Sequence, residues 1–229
     1  AEYGGFNKGQ VQGTYSDSGI IKGLTGATTK RNDTGMPGLS LHYVECHDNY
    51  TLFDKLAISY LEKSNYSGDL FTAIDASGLE AVKAQNKLAA AYIFLSQGTA
   101  FINGGQEFLR TKQGNENSYA SSDAINQIDL SFKTKYSDVY NTYKGLIALR
   151  KANPSAFGSN KDAKAETLEK GVTKYTTGEF LVYFNATDKA VDITIPTDYK
   201  EAVNVSNGTP ESATLPAKVP VKSFVILKQ

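Results

Sequence analysis

A run of polar and titratable side chains follows a short apolar segment early in the chain. The apolar run Leu39 to Val44 ends in Glu45-Cys46-His47-Asp48-Asn49. Folding alone does not require His, Asp and Asn in succession, whereas buried strands of α/β proteins deliver such side chains to a site at their carboxyl ends. An ordinary strand-to-loop junction also accounts for them, because Asp and Asn are common turn residues. The residues alone leave both interpretations open.

A second apolar run leads into a second polar loop. Thr99 to Asn103 is followed by Gly104-Gly105-Gln106-Glu107-Phe108. Neighbouring parallel strands end at the same edge of a sheet, so Asp48 and Glu107 form a candidate pair of catalytic carboxylates. The two glycines do not indicate a phosphate-binding loop, because their spacing matches no nucleotide fingerprint and no Gly-Lys-Ser/Thr follows.

The two histidines of the chain, with Glu45 between them, raise the alternative of a metal site. His42 and His47 are five residues apart, which places their side chains on opposite faces of a strand. We therefore predict no metal ligands here. His42 is interpreted as a core residue, and Cys46, the single cysteine, as a small buried hydrophobe.

Hydrophobic periodicity and end signals predict the elements that position these residues. Residues 1 to 38 are rich in Gly, Ser, Thr, Asn and Asp, which predicts a loop with one helical turn near Ser18 to Leu24. Three helices are expected. The helix from Leu79 to Gln97 is capped by Asp75 or Ser77, and its second half is expected to be buried on all sides. The helix from Tyr136 to Ala152 is capped by Ser137. The predicted helices are Tyr50 to Ser59, Leu79 to Gln97 and Tyr136 to Ala152, and the predicted strands are Leu39 to Cys46 and Thr99 to Asn103.

Short β-type runs separated by turn signals replace this pattern from about Ala156 onward. They predict a small antiparallel β-sandwich. The predicted fold class is therefore α/β followed by all-β, with one domain over residues 1–153 and a second over residues 154–229. The predicted strands of the second domain are Phe180 to Phe184, Ala190 to Ile195, Ala202 to Val205 and Ser223 to Leu227.

The composition argues against several classes of partner. The chain has 229 residues, with 24 Lys and Arg against 24 Asp and Glu, so its formal net charge is zero. A neutral chain gives no support for nucleic acid or an anionic membrane as partner, and no apolar run approaches the ~20 residues of a membrane span. Neutral, hydroxyl-rich ligands fit better. The sequence leaves localisation open, with secretion or the cell surface favoured over the cytoplasm.

Several motifs resemble one enzyme family. Tyr43-Val44-Glu45-Cys46-His47-Asp48-Asn49 resembles the last conserved stretch of the α-amylase superfamily of glycoside hydrolases, and its continuation to Leu56 resembles pullulanases, which cut α-1,6 branch points in α-glucans. The sequence departs from this pattern at Leu130, where the family has Trp, and at Tyr50, where His is usual. Further segments similar to those debranching enzymes are Gly104 to Lys112, Glu116 to Tyr119 and Ile125 to Asp129.

The resemblance implies the carboxyl-terminal part of such an enzyme, with the last two βα units of a (β/α)₈ barrel followed by a β-sandwich. It implies that Asp48 is the third, transition-state-stabilising carboxylate of a retaining mechanism. The nucleophile and the acid/base are then expected on strands that this chain lacks. The resemblance makes His47, Asn49, Asn117 and Tyr119 candidate sugar-binding residues, and a purely structural role stays open for each of them.

The resemblance gives Glu107 a loop-ordering role, in contrast to the carboxylate-pair alternative. Arg110 is expected to anchor the same loop by pairing with a carboxylate. The expected ligand is an α-glucan such as pullulan, branched starch or glycogen. No cofactor is predicted; a calcium ion in the parent enzyme stays open, although no calcium-loop pattern is present.

The expected protein partner is the amino-terminal remainder of the same enzyme. It would cover the apolar runs Leu39 to Val44 and Thr99 to Ile102, because two barrel strands alone leave open edges and an uncovered face. On its own the chain is expected to be inactive and poorly stable. The alternative function is a non-catalytic carbohydrate-binding or structural module. The sequence does not settle preference for α-1,6 over α-1,4 bonds.

Overall fold

The computed structural model describes residues 7–27, 36–63 and 66–229, and predictions for the remaining residues of the glycine-rich segment lie outside the described part. None of the helices in these ranges has the length and apolarity to cross a bilayer. The helices are α1 Asp17–Thr25, α2 Leu52–Tyr60, α3 Leu70–Ala73, α4 Ala76–Leu95, α5 Asp123–Asn126, α6 Phe132–Lys135, α7 Ser137–Ala152 and α8 Pro154–Phe157. The strands are β1 Leu41–His42, β2 Thr99–Ala100, β3 Lys164–Glu169, β4 Val172–Thr177, β5 Phe180–Asn185, β6 Val191–Asp192, β7 Glu201–Asn204, β8 Glu211–Ala213, β9 Lys218–Val219 and β10 Ser223–Lys228.

The first part of the chain contains one strand–helix–strand unit. Strands β1 and β2 pair in parallel, with Leu41 opposite Thr99 and His42 opposite Ala100, and helices α2 to α4 connect them. A parallel pair needs such a crossover, because its strand ends lie at opposite edges. The α/β character of this part is as predicted. The (β/α)₈ barrel stays a prediction, since β1 and β2 are the one parallel pair in the described ranges.

Helix α4 is the central helix of this part. The Asp75 carboxylate accepts a hydrogen bond from the Gly78 N–H at 2.6 Å, so the predicted Asp75 cap is confirmed. Every residue from Leu88 to Leu95 is buried, as the all-round apolar pattern predicts. The predicted Ser137 cap of α7 is wrong: Ser137 is already helical, because α6 runs through Tyr136 into α7 without an extended residue between them.

The predicted extents of the first two strands are wrong. Each strand is only two residues long. A strand needs a hydrogen-bonding neighbour, and in the described ranges β1 and β2 pair only with each other. One face of the two strands is exposed, in agreement with the uncovered face expected of these two runs. Leu41 is 57%, Tyr43 52% and Phe101 43% exposed, and the Tyr43 and Phe101 rings meet edge to face at 6.0 Å.

The second part of the chain is all-β, as predicted. Six strands form an antiparallel sheet in the order β3-β4-β5-β10-β7-β8, and β6 pairs with β9. Every residue of β5 is buried, because one face of the sheet packs on the helices and the other contacts Tyr199 and Val219. The sequence analysis missed β3, β4, β8 and β9. A complete β-sandwich stays a prediction, since the second layer consists of short elements.

The two parts share one hydrophobic core. The ring of Tyr92 on α4 stacks on Phe184 of β5 with 4.4 Å between centroids. The buried Gln97 amide donates to the Tyr175 hydroxyl and the Ala156 carbonyl, both at 2.7 Å. The predicted domain division after residue 153 therefore crosses a continuous packed interface, and the division itself stays a prediction.

Candidate functional site

The loop after β1 carries the predicted catalytic residue. The side chains of His47 and Asp48 are 86% and 73% exposed, and His47 Nε2 lies 3.3 Å from Asp48 Oδ2. Both face a cleft of about 410 Å³, a volume within the ~300–1,000 Å³ of small-molecule sites. The cleft is lined by His47, Asp48, Asn103, Arg110, Lys112, Glu116, Asn117, Ser118, Tyr119 and Asn126.

The structure brings four of the five predicted site residues to this cleft. Asp48 and His47 lie on one wall, and Asn117 and Tyr119 come from the loop before α5. Tyr119 is 88% exposed, so one face of its ring is open. Asn49 does not line the cleft; its backbone has a left-handed φ of 65° and its carbonyl accepts a hydrogen bond from Lys112 Nζ at 2.6 Å. The role of each residue stays a prediction.

A buried carboxyl group lies at the base of the Asp48 loop. Glu45 Oε2 accepts the Leu52 N–H at 2.8 Å, and Glu45 Oε1 accepts Asn103 Nδ2 at 2.9 Å. The first contact satisfies an N–H of the first turn of α2, and the second joins the ends of the two parallel strands. Burial raises the pKa of Glu45 to about 7, although both hydrogen bonds lower it. Glu45 therefore fixes where the loop departs from β1.

A second buried carboxylate holds the opposite wall. Asp54, in the first turn of α2, accepts the backbone N–H groups of Lys112 at 2.8 Å and Gly114 at 3.2 Å, together with the Thr111 hydroxyl. Burial raises the pKa of Asp54 as its largest effect, and these hydrogen bonds oppose the shift. The Glu45 and Asp54 carboxyls thus tie the loops on both sides of the cleft to the start of one helix.

Two further sequence predictions have different outcomes. Glu107 Oε2 accepts the Gly105 N–H at 3.0 Å and does not line the cleft, which agrees with a loop-ordering role and gives no support to the Asp48–Glu107 pair. Arg110 lines the cleft, but the predicted carboxylate partner is wrong. Its guanidinium donates to the carbonyls of Asn126 at 2.7 Å and Gly104 at 3.4 Å, because the surrounding turns present free carbonyl groups to it.

The metal-site alternative finds no support in the described ranges, where no cluster of three His, Cys, Asp or Glu side chains could hold an ion. His42 is mostly buried, and burial and the nearby Arg150 charge lower its pKa, in keeping with a core position. Cys46 is partly exposed rather than buried, because the chain bends out of the strand before it reaches this residue.

Three residues that shape the site were not predicted: Glu45, Asn103 and Lys112. Each lies inside or next to a quoted motif, in Tyr43 to Asn49 or Gly104 to Lys112. Their position in or beside these motifs was the one signal in the sequence that could have pointed to them. Their partners are 7 to 63 residues away in sequence, so only the folded chain shows what they contact.

The buried Glu45 carboxyl predicts a pH-dependent stability. Its folded pKa of about 7 exceeds the ordinary 4.5, so the folded chain keeps a proton that the unfolded chain releases. The stability it contributes is fully present below about pH 4.5 and is lost as the pH rises to about 7. The quantity to measure is the unfolding free energy of Glu45→Gln minus that of the native protein. We expect this difference to rise by about 3 kcal/mol between about pH 4.5 and pH 8, because the native protein loses stability over that range. Urea titrations at both pH values measure this difference, and a pH-independent difference contradicts it.

Comparison with protein-family models gives no match. Among curated proteins, the chain is similar to the pullulanase of Bacillus subtilis (strain 168), with 34% identity over 188 residues that cover 81% of this chain and 23% of the relative. It is also similar to the isoamylase of Pseudomonas amyloderamosa, with 29% identity over 133 residues, covering 52% of this chain and 17% of the relative.

Solved structures give the same result. The chain matches pullulanase from Bacillus acidopullulyticus with a TM-score of 0.80 and 25% identity, over 98% of this chain and 28% of that one. It matches pullulanase from Paenibacillus barengoltzii, solved in complex with maltohexaose and α-cyclodextrin, with a TM-score of 0.77 and 28% identity, over 98% of this chain and 36% of that one. The chain therefore spans well under half the length of the proteins it resembles.

Proposed function

Because this chain is homologous to pullulanases and isoamylases, the debranching enzymes of the α-amylase superfamily, we propose that it forms the Asp48-bearing part of an α-glucan debranching hydrolase. The reaction is hydrolysis of α-1,6-glucosidic bonds by a retaining double displacement. The observation that carries this proposal is the convergence of Asp48, His47, Asn117 and Tyr119 on one cleft.

Asp48 supplies a carboxylate beside the reacting sugar. Retaining glycosidases use two carboxyl groups about 5 Å apart, one as nucleophile and one as acid/base, and pass through an oxocarbenium-like transition state. A third, negative group near the anomeric carbon stabilises the positive charge that develops there, and the effect is greatest where water is excluded. The 73% exposure of the Asp48 side chain means that further polypeptide must close over it before this stabilisation is complete.

The other predicted residues bind the sugar. His47 lies within 3.3 Å of the Asp48 carboxylate, so its imidazole can orient that carboxylate and donate to a sugar hydroxyl. The Asn117 amide offers both a donor and an acceptor. The exposed Tyr119 ring offers an apolar face on which a glucose ring can stack. This mixture of amide, imidazole, carboxylate and aromatic groups suits a neutral, hydroxyl-rich ligand.

The nucleophile and the acid/base are assigned to polypeptide outside this chain. Glu116 is the other carboxylate in the cleft, and it lies close enough to the buried Tyr50 hydroxyl to raise the pKa of that hydroxyl, with burial as the larger cause. A carboxylate beside a buried tyrosine is better suited to shaping the wall of the cleft than to attacking a substrate.

The exposed apolar face of β1 and β2 supports the amino-terminal remainder of the same enzyme as partner. Leu41 and Tyr43 are exposed, whereas His42 between them is partly buried, which is the alternation of a strand with one uncovered face. Exposed clusters of large apolar side chains in soluble proteins commonly mark an interface. The share of its relatives that the chain covers, 23% to 36% in the pullulanases above, leaves room for such a partner.

A chimeric enzyme tests the proposed function. The part of the Bacillus subtilis pullulanase that aligns with this chain is replaced by this chain, giving the pullulanase chimera. We expect the chimera to release reducing ends from pullulan and the 229-residue chain alone to release none, since the chain lacks the two bond-breaking carboxyls. Circular dichroism and a thermal unfolding curve establish that each protein is folded.

Three outcomes contradict the proposal. If the chimera is folded but does not hydrolyse pullulan, the proposed function is contradicted. Turnover by the chain alone that is lost on both Asp48→Asn and Glu116→Gln indicates instead a self-contained site. If the chain alone binds maltohexaose and keeps this binding after removal of residues 1–153, the carbohydrate-binding module becomes the better description.

A further inference from the structure

We propose that Lys112 is a positioning residue for Asp48, acting through the carbonyl of Asn49. The inference rests on the proposed function for what Asp48 does, but the structural part of it is independent of any activity. Lys112 lies at the floor of the cleft on the loop after β2, and Asp48 and Asn49 lie on the loop after β1. The side chain of Lys112 therefore bridges the two walls.

The Lys112 ammonium is buried and is bonded to a carbonyl rather than to an acid. The residue is 5% exposed, and Nζ donates to the Asn49 carbonyl at 2.6 Å. No carboxylate oxygen of the described residues lies within ion-pair distance of Nζ. Lysine is almost never fully buried without a partner, and desolvation lowers the pKa of this ammonium. The Asn49 carbonyl is thus the hydrogen-bond acceptor of this ammonium, and the more distant negative charges of Asp54, Glu45 and Asp48 oppose the lowering of its pKa.

The bonded carbonyl lies in the part of the loop that sets the direction of Asp48. Asn49 has a left-handed φ of 65°, a conformation that Asn tolerates better than most residues but that still needs support from its surroundings. Its position directly after Asp48 means that rotation about this turn swings the Asp48 backbone and its carboxylate. A charge-assisted hydrogen bond to the Asn49 carbonyl holds the turn in place.

Lys112 is itself held by a buried group on a rigid element. Asp54 of α2 accepts the Lys112 and Gly114 N–H groups, so the loop that carries Lys112 is fixed to the same helix whose first turn Glu45 contacts. The chain of contacts runs from α2 through Asp54 and Lys112 to Asn49 and then to Asp48. One N–H of the ammonium is held by Asn49, so the kinetic test below distinguishes positioning of Asp48 from direct binding of a sugar by the remaining donors.

Substitution of Lys112 in the 229-residue chain tests the structural step. Lys112→Met keeps the length of the aliphatic stem but removes the donor. We expect nuclear magnetic resonance to show large shifts of the Asp48 and Asn49 amides and a change in the Asn49 coupling constant that reports φ, and we expect Lys112→Arg to restore both. Lys222→Met is the control, because Lys222 is 7% exposed and its Nζ donates to the Ala186 carbonyl at 2.7 Å in the β-sheet part, with Asp188 Oδ1 at 3.1 Å as a further partner.

Kinetics of the pullulanase chimera test the functional step. A misplacement of about 1 Å can cost about 10²-fold in rate, so Lys112→Met is expected to lower kcat by about 10²-fold while KM changes by less than about threefold. Lys112→Arg should recover kcat to within about tenfold of the parent chimera, and Lys222→Met should leave kcat unchanged. If Lys112→Met loses the dispersed spectrum of a folded protein, Lys112→Gln, whose end group falls short of the carbonyl, replaces it.

The outcomes separate the inference from the proposed function. Unchanged Asp48 and Asn49 signals in Lys112→Met overturn the positioning role, whatever the activity. A raised KM with unchanged kcat overturns it in favour of direct sugar binding. If Lys222→Met lowers kcat as much as Lys112→Met does, the effect of Lys112→Met is a general effect on folding and the positioning role is overturned. An inactive but folded parent chimera removes the proposed function alone, since the resonance measurements still decide whether Lys112 holds the Asp48 loop.

Discussion

Asp48→Asn should lower the rate of pullulan hydrolysis by the pullulanase chimera by about 10³-fold. Asn has almost the same shape as Asp and still hydrogen-bonds a sugar hydroxyl, so the change removes the negative charge and little else. The loss of one preorganised electrostatic group at a developing charge costs about 10²–10³-fold in kcat, and Asp48 carries a full charge. Initial rates of reducing-end release measure the effect, and maltohexaose binding measures whether the ground state is affected.

The control for this substitution is Asp198→Asn. Asp198 is exposed in the loop between β6 and β7 and does not line the cleft, so the rate should stay within experimental error. Glu107→Gln provides a second comparison, because a loop-ordering residue should cost less than Asp48. A rate that falls less than about tenfold in Asp48→Asn would rule out the transition-state role, since that loss is below the range for a catalytic electrostatic group.

Whereas the four-residue helices α3, α5, α6 and α8 were not predicted, the longer helices of this protein were predictable from its sequence. Their signals are local: Asp75 precedes α4, Ala- and Leu-rich positions fill it, and Asn153-Pro154 follows α7. The observed helices Leu52–Tyr60, Ala76–Leu95 and Ser137–Ala152 differ from the predicted ones by a few residues at their ends. Helix ends depend on caps whose geometry a sequence does not give, as the unused Ser137 cap illustrates.

The strands were less predictable, because a strand depends on a partner elsewhere in the chain. Strand β3, Lys164–Glu169, is a mostly exposed edge strand without the apolar content that the analysis required. For β1 the prediction was too long. The apolar run predicted a long buried strand, whereas in the described ranges β1 is short because β2 is its one neighbour. In the described ranges no strand besides β2 pairs with β1, and the side chains of Leu41 and Tyr43 stay exposed.

Site residues were predictable only where they belong to a motif that resembles a known family. Asp48 and His47 are identified through the resemblance of Tyr43 to Asn49, and the same residue types in another context would indicate an ordinary turn. The support of the site was not predictable. Lys112 contacts Asn49 across 63 residues of sequence, and no local pattern distinguishes a buried lysine from an exposed one before the fold is known.

Phe184→Ala should destabilise the 229-residue chain by about 3–5 kcal/mol, the usual cost of removing a large buried aromatic side chain. Phe184 is fully buried near the carboxyl end of β5, and its ring stacks on Tyr92 of α4 with an interplanar angle of 14°. The substitution leaves a cavity in the layer between helices and sheet. Urea unfolding measures the change, and Leu168→Ala, at a position exposed on the edge strand β3, should alter stability by less than about 0.5 kcal/mol.

The form of the Phe184→Ala transition tests whether the predicted domain division at residue 153 is also a division in stability. Because Phe184 and Tyr92 belong to one core that spans both parts, helix signals in circular dichroism and the resonances of β-sheet residues should shift together to lower urea. A double-mutant cycle with Tyr92→Leu should give a coupling of about 0.5–1.5 kcal/mol for the stacked pair. Two separate transitions, with only the β-sheet signals moving, would instead mean that residues 154–229 fold on their own and that the shared core contributes little to their stability.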